Sequence, residues 1–171
     1  AAQAGRPAFL YSSDLLRARL TAEPLAAALG LSIRYIPALR ERRYGIFEGL
    51  TYDEARAQHP ADYAAFEHRE PDYAFPHVGE SLRTFSARVV GALQALHAAH
   101  HGEIVAVVTH GGVLDIVNRF VRGNPLDTPR DFHIPNTGLN WVRASVDGWH
   151  IESWAETRHL DHGALDELGI A

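Results

Sequence analysis

Apolar positions in this chain switch repeatedly between short unbroken runs and helical spacing. Residues 8–12 (AFLYS) form a short apolar run that predicts a buried strand. Residues 14–29 then carry Leu15, Leu16, Leu20, Leu25 and Leu29 at helical spacing, with Ser13 or Asp14 as cap and Gly30 as stop. Pro24 inside that run predicts a kink or a break. Residues 32–36 alternate as a strand does, and 71–80 read as loop. Thr51 and Glu54 make a capping-box pattern that opens a helix over 51–58. A long amphipathic helix is predicted over 81–100, with Leu82, Phe85, Val89, Leu93 and Leu96 on one stripe. Residues 104–109 (IVAVVT) are a β-branched run, expected as an interior strand of a sheet covered on both faces. Helical spacing returns over 112–121. Two terminal strands follow at 139–144 and 150–154, joined by a turn at Asp147-Gly148.

Strand and helix alternate, and no repeat, low-complexity tract or linker divides the chain. The pattern predicts one α/β domain over 1–171, a three-layer α/β/α sandwich with a mostly parallel sheet. In such sheets ligands bind outside the carboxyl ends of the strands, so chemistry is sought there.

Composition narrows the classes. The chain has no cysteine, which excludes disulfides and thiolate zinc sites and suits a reducing cytoplasm. A net charge of −5 argues against nucleic-acid binding. No apolar stretch approaches the roughly 20 residues that span a membrane, and residues 1–9 carry no signal core. Methionine is absent, so Ala1 is not expected to be the translational start.

Three stations sit where chemistry is expected. In Val107-Val108-Thr109-His110-Gly111-Gly112-Val113 a strand runs into His110, two glycines follow, and a helix starts. Glycines let backbone N–H groups approach a ligand, and a helix N-terminus favours an anion. His110 there can donate to a phosphate oxygen. In Tyr11-Ser12-Ser13-Asp14-Leu15-Leu16-Arg17 another strand meets a helix, and Arg17 lies a turn in, where its planar fork suits phosphate. A lone helix arginine is otherwise a solvated one, as Arg19 is expected to be. Leu39-Arg40-Glu41-Arg42-Arg43 sets a carboxylate among arginines. Glu41 is either a proton donor or a member of a salt-bridge cluster, and spacing alone favours the cluster. His97, His100 and His101 have helical spacing, yet a helix end is usually solvated and no metal site is expected.

Taken together, SSDLLRARLTA, LRERRYGIFEG, the GES of Gly79, Glu80 and Ser81, VVTHGGV and IPNTGLN resemble, in order and spacing, the histidine phosphatases of the phosphoglycerate mutase-like superfamily. The resemblance runs from about Tyr11 to Asn140 and is nearer the phosphatase-type branch, since the segment between the Glu41 loop and the long helix is short. It implies phosphomonoester hydrolysis through a phosphohistidine, on a small phosphorylated metabolite, with no cofactor and no metal. It implies Arg17 as a phosphate-binding arginine, Glu41 as proton donor to the leaving oxygen and His110 as the histidine on the transferring phosphoryl group. It also implies a backbone N–H at Gly111 and a substrate-side contact at Asn136.

Family members begin with a central strand ending in Arg-His-Gly, whose histidine is the nucleophile, and this sequence contains no such string. The nucleophile and that strand are therefore expected upstream of Ala1. The chain alone is then expected to be inactive, to leave strand edges open on both sides of a gap, and to fold poorly. The alternatives are phosphoglycerate mutase activity, or a non-catalytic phosphate-ester-binding module if the chain is complete. Val78 stands where the family usually has a glycine, so substrate contact through that loop is not expected. A homodimer is left open.

Overall fold

The run at 8–12 becomes β1 (Phe9–Ser12), the centre of a three-stranded parallel sheet ordered β2-β1-β3, with β2 at Ile33–Tyr35 and β3 at Val105–Val108. The protein is seen here in a computed structural model, which describes residues 5–160. The expected segment before Ala1 lies outside those residues. The helices are α1 (Leu16–Leu29), α2 (Tyr52–Gln58), α3 (Pro60–Glu67), α4 (Leu82–Ala99) and α5 (Gly111–Arg122). Two later strands, β4 (Leu139–Ser145) and β5 (Gly148–Glu156), pair antiparallel as a separate sheet. The fold is mixed α/β with a parallel sheet and helices packed against it, as the alternation predicts. No described helix is long and apolar enough to cross a membrane.

Local signals hold where they were strong. Thr51 and Glu54 form both bonds of the capping box. Ser81 accepts from the Thr84 N–H at the start of α4, and Gly30 ends α1 at φ 65°, in the left-handed region where glycine is least strained. Val89, Phe85, Ile116, Val113 and Leu39 are buried together between α4, α5 and the turn after β2. Burying each such side chain is worth about 1.5–3 kcal/mol. A second, aromatic cluster of Phe47, Tyr63 and Phe75 holds α2 and α3 to the loops around them. Helix α3 has no counterpart in the sequence reading; Pro60 at its first turn is the only signal for it.

Three expectations are corrected. The leucines of α1 do not face the core: Leu16 is 67% and Leu20 57% exposed, while Ala18 and Ala22 are buried. An offset of two residues is about 200° on a helix, so the leucine and alanine stripes are opposed, and the small face lies on the sheet. Pro24 does not break α1. Both it and Leu20, whose carbonyl loses a donor, face outward, so solvent can satisfy that carbonyl. The cap of α1 is neither Ser13 nor Asp14: its N-cap is Leu15, with no side-chain bond. Asp14 turns instead to Arg40, whose Nε lies 2.7 Å away.

The strand at β3 is also not interior among the described residues. It pairs on one side only, with β1, and Val107 is 37% exposed. Its sequence reads as buried because it is β-branched throughout, but lateral pairing is a non-local property that composition does not carry.

Candidate active site

The parallel register brings the three stations together. Ser12 is opposite Val108 on one side and Tyr35 on the other, so all three strands end on one rim. Backbone bonds continue past the strand ends: the Ser13 N–H donates to Val108 O and the Ile36 N–H to Ser12 O, each at 2.9 Å. The Thr109 hydroxyl donates to Leu39 O at 2.9 Å and ties the end of β3 to the turn that leads to Glu41.

His110 is buried at the N-cap of α5, and its Nε2 lies 2.8 Å from the hydroxyl of Ser13, itself fully buried. Burial, and then the charges of Arg17 and Arg88, hold the imidazole down at about 4, well below an ordinary histidine. It is therefore neutral near pH 7. Arg17 sits in the first turn of α1, and its charge is one of those that bear on His110. Arg17 is exposed, and its side chain has no hydrogen bond or ion pair among the described residues.

Glu41 forms no ion pair among the described residues. Its two oxygens accept backbone N–H groups, Oε1 from Arg42 at 2.8 Å and Oε2 from Gly112 at 2.9 Å. The carboxyl group thus sits on the first turn of α5. The approach requires glycine: a Cβ at Gly112 would stand 2.2 Å from Oε1. The arginines that composition suggested as partners are committed elsewhere. Glu80, buried, takes Arg88 with both oxygens at 2.7 Å and accepts the Arg43 N–H at 3.0 Å. Burial alone would raise the Glu80 carboxyl, but Arg88 and the Arg43 N–H bring it below the usual range. Arg88 also donates to the carbonyls of Ala38, Arg40 and Glu41, fixing the loop that carries the acid. Glu41 borders a cavity of about 190 Å³ with Pro37, Arg40, Arg43, Glu80 and Arg88.

Gly111 is exposed beside His110, and its N–H has no acceptor among the described residues, as befits the first residue of a helix. Ile134 reaches within 4.0 Å of where a Gly111 Cβ would be, so the loop carrying Asn136 abuts the rim. The Asn136 side chain is exposed and makes no hydrogen bond among the described residues. His110, Gly111 and Glu41 are therefore brought together, the loop of Asn136 stands next to them, and Arg17 is linked to them only through its charge on His110. The three other histidines do not converge: His100 is buried, with Nε2 on the Tyr11 hydroxyl at 2.8 Å and Nδ1 on Glu103 at 3.0 Å, while His97 stacks on His101. Arg19 lies over the Tyr35 ring on the surface, as expected. Ser13 and Arg88 are the contributors that the sequence reading missed. Ser13 stands one residue past a strand end and was available to the strand-end rule; nothing local marks Arg88.

Comparison with known proteins gives the same direction. The family model described as "Histidine phosphatase superfamily (branch 1)" matches residues 1–157. "Phosphoglycerate mutase-like protein 4" of Arabidopsis thaliana is 38% identical over 163 residues, covering 94% of this chain and 70% of its own length. "Metal-independent phosphoserine phosphatase" of the same plant is 35% identical over 166 residues, covering 96% and 68%. Among solved structures, YhfR of Bacillus stearothermophilus superposes with a TM-score of 0.81 at 29% identity, covering 92% of this chain and 78% of its own.

Proposed function

The chain belongs to the histidine phosphatase superfamily, branch 1, and on that premise we propose that it hydrolyses phosphate monoesters of small metabolites through a phosphohistidine. The observation that carries this reading is one shared rim: neutral His110 at the N-cap of α5, and Glu41 two residues along on the backbone of Gly112, with the Arg17 charge bearing on the histidine.

In this reading an anion seats between the Gly111 N–H, Arg17 and His110. The N–H and guanidinium oppose the charge on the phosphoryl oxygens, and the N–H is fixed by its helix before the reaction begins. An attacking imidazole nitrogen, from outside the described residues, forms the P–N bond as the ester P–O bond breaks. Glu41 gives its proton to the departing oxygen and then takes one from the water that cleaves the P–N bond. Asn136, on the loop beside Gly111, would face the organic part of the substrate. Nothing in these steps calls on a metal. The names of the relatives support a small phosphorylated metabolite as substrate; one of them is named for phosphoserine.

Isomerase activity is the second reading, favoured by the mutase-like name of the 38% identical relative. The short stretch between Gly49 and Gly79 favours hydrolysis, because it leaves little chain to enclose a second phosphate.

The test is to incubate the protein as encoded with p-nitrophenyl phosphate and acid-quench it. Release of p-nitrophenol together with an acid-labile phosphoprotein is expected. Absence of both across the pH range contradicts the reading. Mutase activity that requires 2,3-bisphosphoglycerate would move the assignment to the isomerase.

A further inference from the structure

We propose that Ser13 is a positioning residue that fixes His110 in the tautomer with its proton on Nδ1, so that Nδ1, not Nε2, faces the bound anion. The inference rests on the reading of His110 as an anion contact, but its test does not.

The argument is an accounting of hydrogen bonds in a sealed place. A serine hydroxyl has one proton to give and two lone pairs to offer. Ser13 is fully buried, so its partners are protein groups and its proton above all needs one. One lone pair accepts the Leu15 N–H at 3.3 Å. The only other partner of the hydroxyl among the described residues is His110 Nε2, at 2.8 Å. If Nε2 carried the ring proton, it would donate to Ser13, and the serine proton would have no acceptor. Leaving a buried donor unmade costs about 1–3 kcal/mol. If Nε2 is bare, Ser13 donates to it and only its second lone pair goes unused, which costs less than an unmade donor.

The neutral ring then carries its proton on Nδ1. That nitrogen has no protein partner among the described residues, and it is not one of the buried atoms left without one, so it remains accessible. A donor at that position suits an oxyanion, and an unprotonated nitrogen would repel it. Burial and the Arg17 charge keep the ring neutral, so the tautomer and not total charge decides what His110 offers. Ser13 is itself held by its own backbone: its N–H donates to Val108 O, and its carbonyl accepts the Ser12 hydroxyl at 2.8 Å. The hydroxyl is thus anchored between the end of β1, which carries Ser13, and the end of β3, which leads to the histidine.

The experiment is long-range 1H–15N spectroscopy of histidine-labelled protein at neutral pH, with His110 assigned by its loss in H110Q. The wild type should show His110 with Nδ1 protonated and Nε2 bare. Ser13→Ala should move the ring toward the Nε2–H form, and Ser13→Thr, which keeps the hydroxyl, should restore the wild-type pattern. Inorganic phosphate affinity should fall about tenfold in Ser13→Ala and not in Ser13→Thr. An Nε2–H tautomer in the wild type, or no change in Ser13→Ala, overturns the proposal. The wild-type spectrum decides this even if Ser13→Ala does not fold. A wild type with the expected tautomer that binds no phosphate leaves Ser13 as positioned and removes the anion seat instead.

Discussion

The Glu41 carboxylate rests on the backbone of Gly112, 2.9 Å from its amide nitrogen, although 71 residues separate them. The contact joins the loop after β2 to the helix after β3, and it leaves no room for a side chain. Gly112→Ala would put a methyl group 2.2 Å from the carboxylate and displace it. Activity toward p-nitrophenyl phosphate should fall about 100-fold, the usual scale for misplacing a catalytic group by an ångström. The melting temperature should hardly change, because alanine is otherwise a better helix residue. Full activity in this variant would detach Glu41 from catalysis.

The His110 environment predicts acid lability. Its folded value of about 4 lies below the free 6.5, so the unfolded chain binds the extra proton first as pH falls. The stability this group contributes is complete above about pH 6.5 and is lost between there and about 4. It amounts to at most about 3 kcal/mol. His110→Asn should flatten that part of the stability curve, measured by urea unfolding at a series of pH values. An unchanged slope contradicts the assignment.

Arg17 separates binding from folding. It is exposed and has no described partner, so Arg17→Ala should alter stability by less than about 0.5 kcal/mol. Phosphate affinity should nonetheless drop by more than about tenfold, since a charge-assisted bond is worth about 1.5–3 kcal/mol. Calorimetric titration beside a thermal melt checks both. Unaltered affinity would make Arg17 an ordinary surface arginine.

Glu80 predicts the opposite pattern. It is buried and binds Arg88 with both oxygens, and Arg88 holds the carbonyls of the Glu41 loop. Glu80→Ala leaves a half-buried guanidinium unpaired and should cost about 3 kcal/mol in denaturant unfolding. Phosphate affinity, measured well below the unfolding midpoint, should be nearly retained, because Arg17 and Gly111 are untouched.

What the sequence revealed divides along the distance over which each feature is decided. The capping box at Thr51 and Glu54, the Ser81 cap and the Gly30 stop are each decided within a few residues, and each is found in place. Arg17, Glu41 and His110 were legible because parallel strands put their carboxyl ends on one side, so a residue just past a strand is near any other such residue. Leucine does not mark the buried face of α1. A helix lying close on a sheet buries Ala18 and Ala22 instead, which leaves Leu16 and Leu20 outside. The one-sided pairing of β3 among the described residues and the separate β4–β5 sheet depend on lateral pairing between distant segments. The Ser13 contact to His110, 97 residues apart, and the grip of Arg88 on the Glu41 loop are likewise non-local.

The central claim is that residues far apart in the chain form one anion seat at the rim of the sheet. Titrating 15N-labelled protein with inorganic phosphate tests it most directly. Saturable shifts of the Gly111 amide, the His110 ring and the Arg17 Nε, fitting one dissociation constant, are predicted. Shifts that avoid these three groups, or fit separate constants for them, would contradict the account.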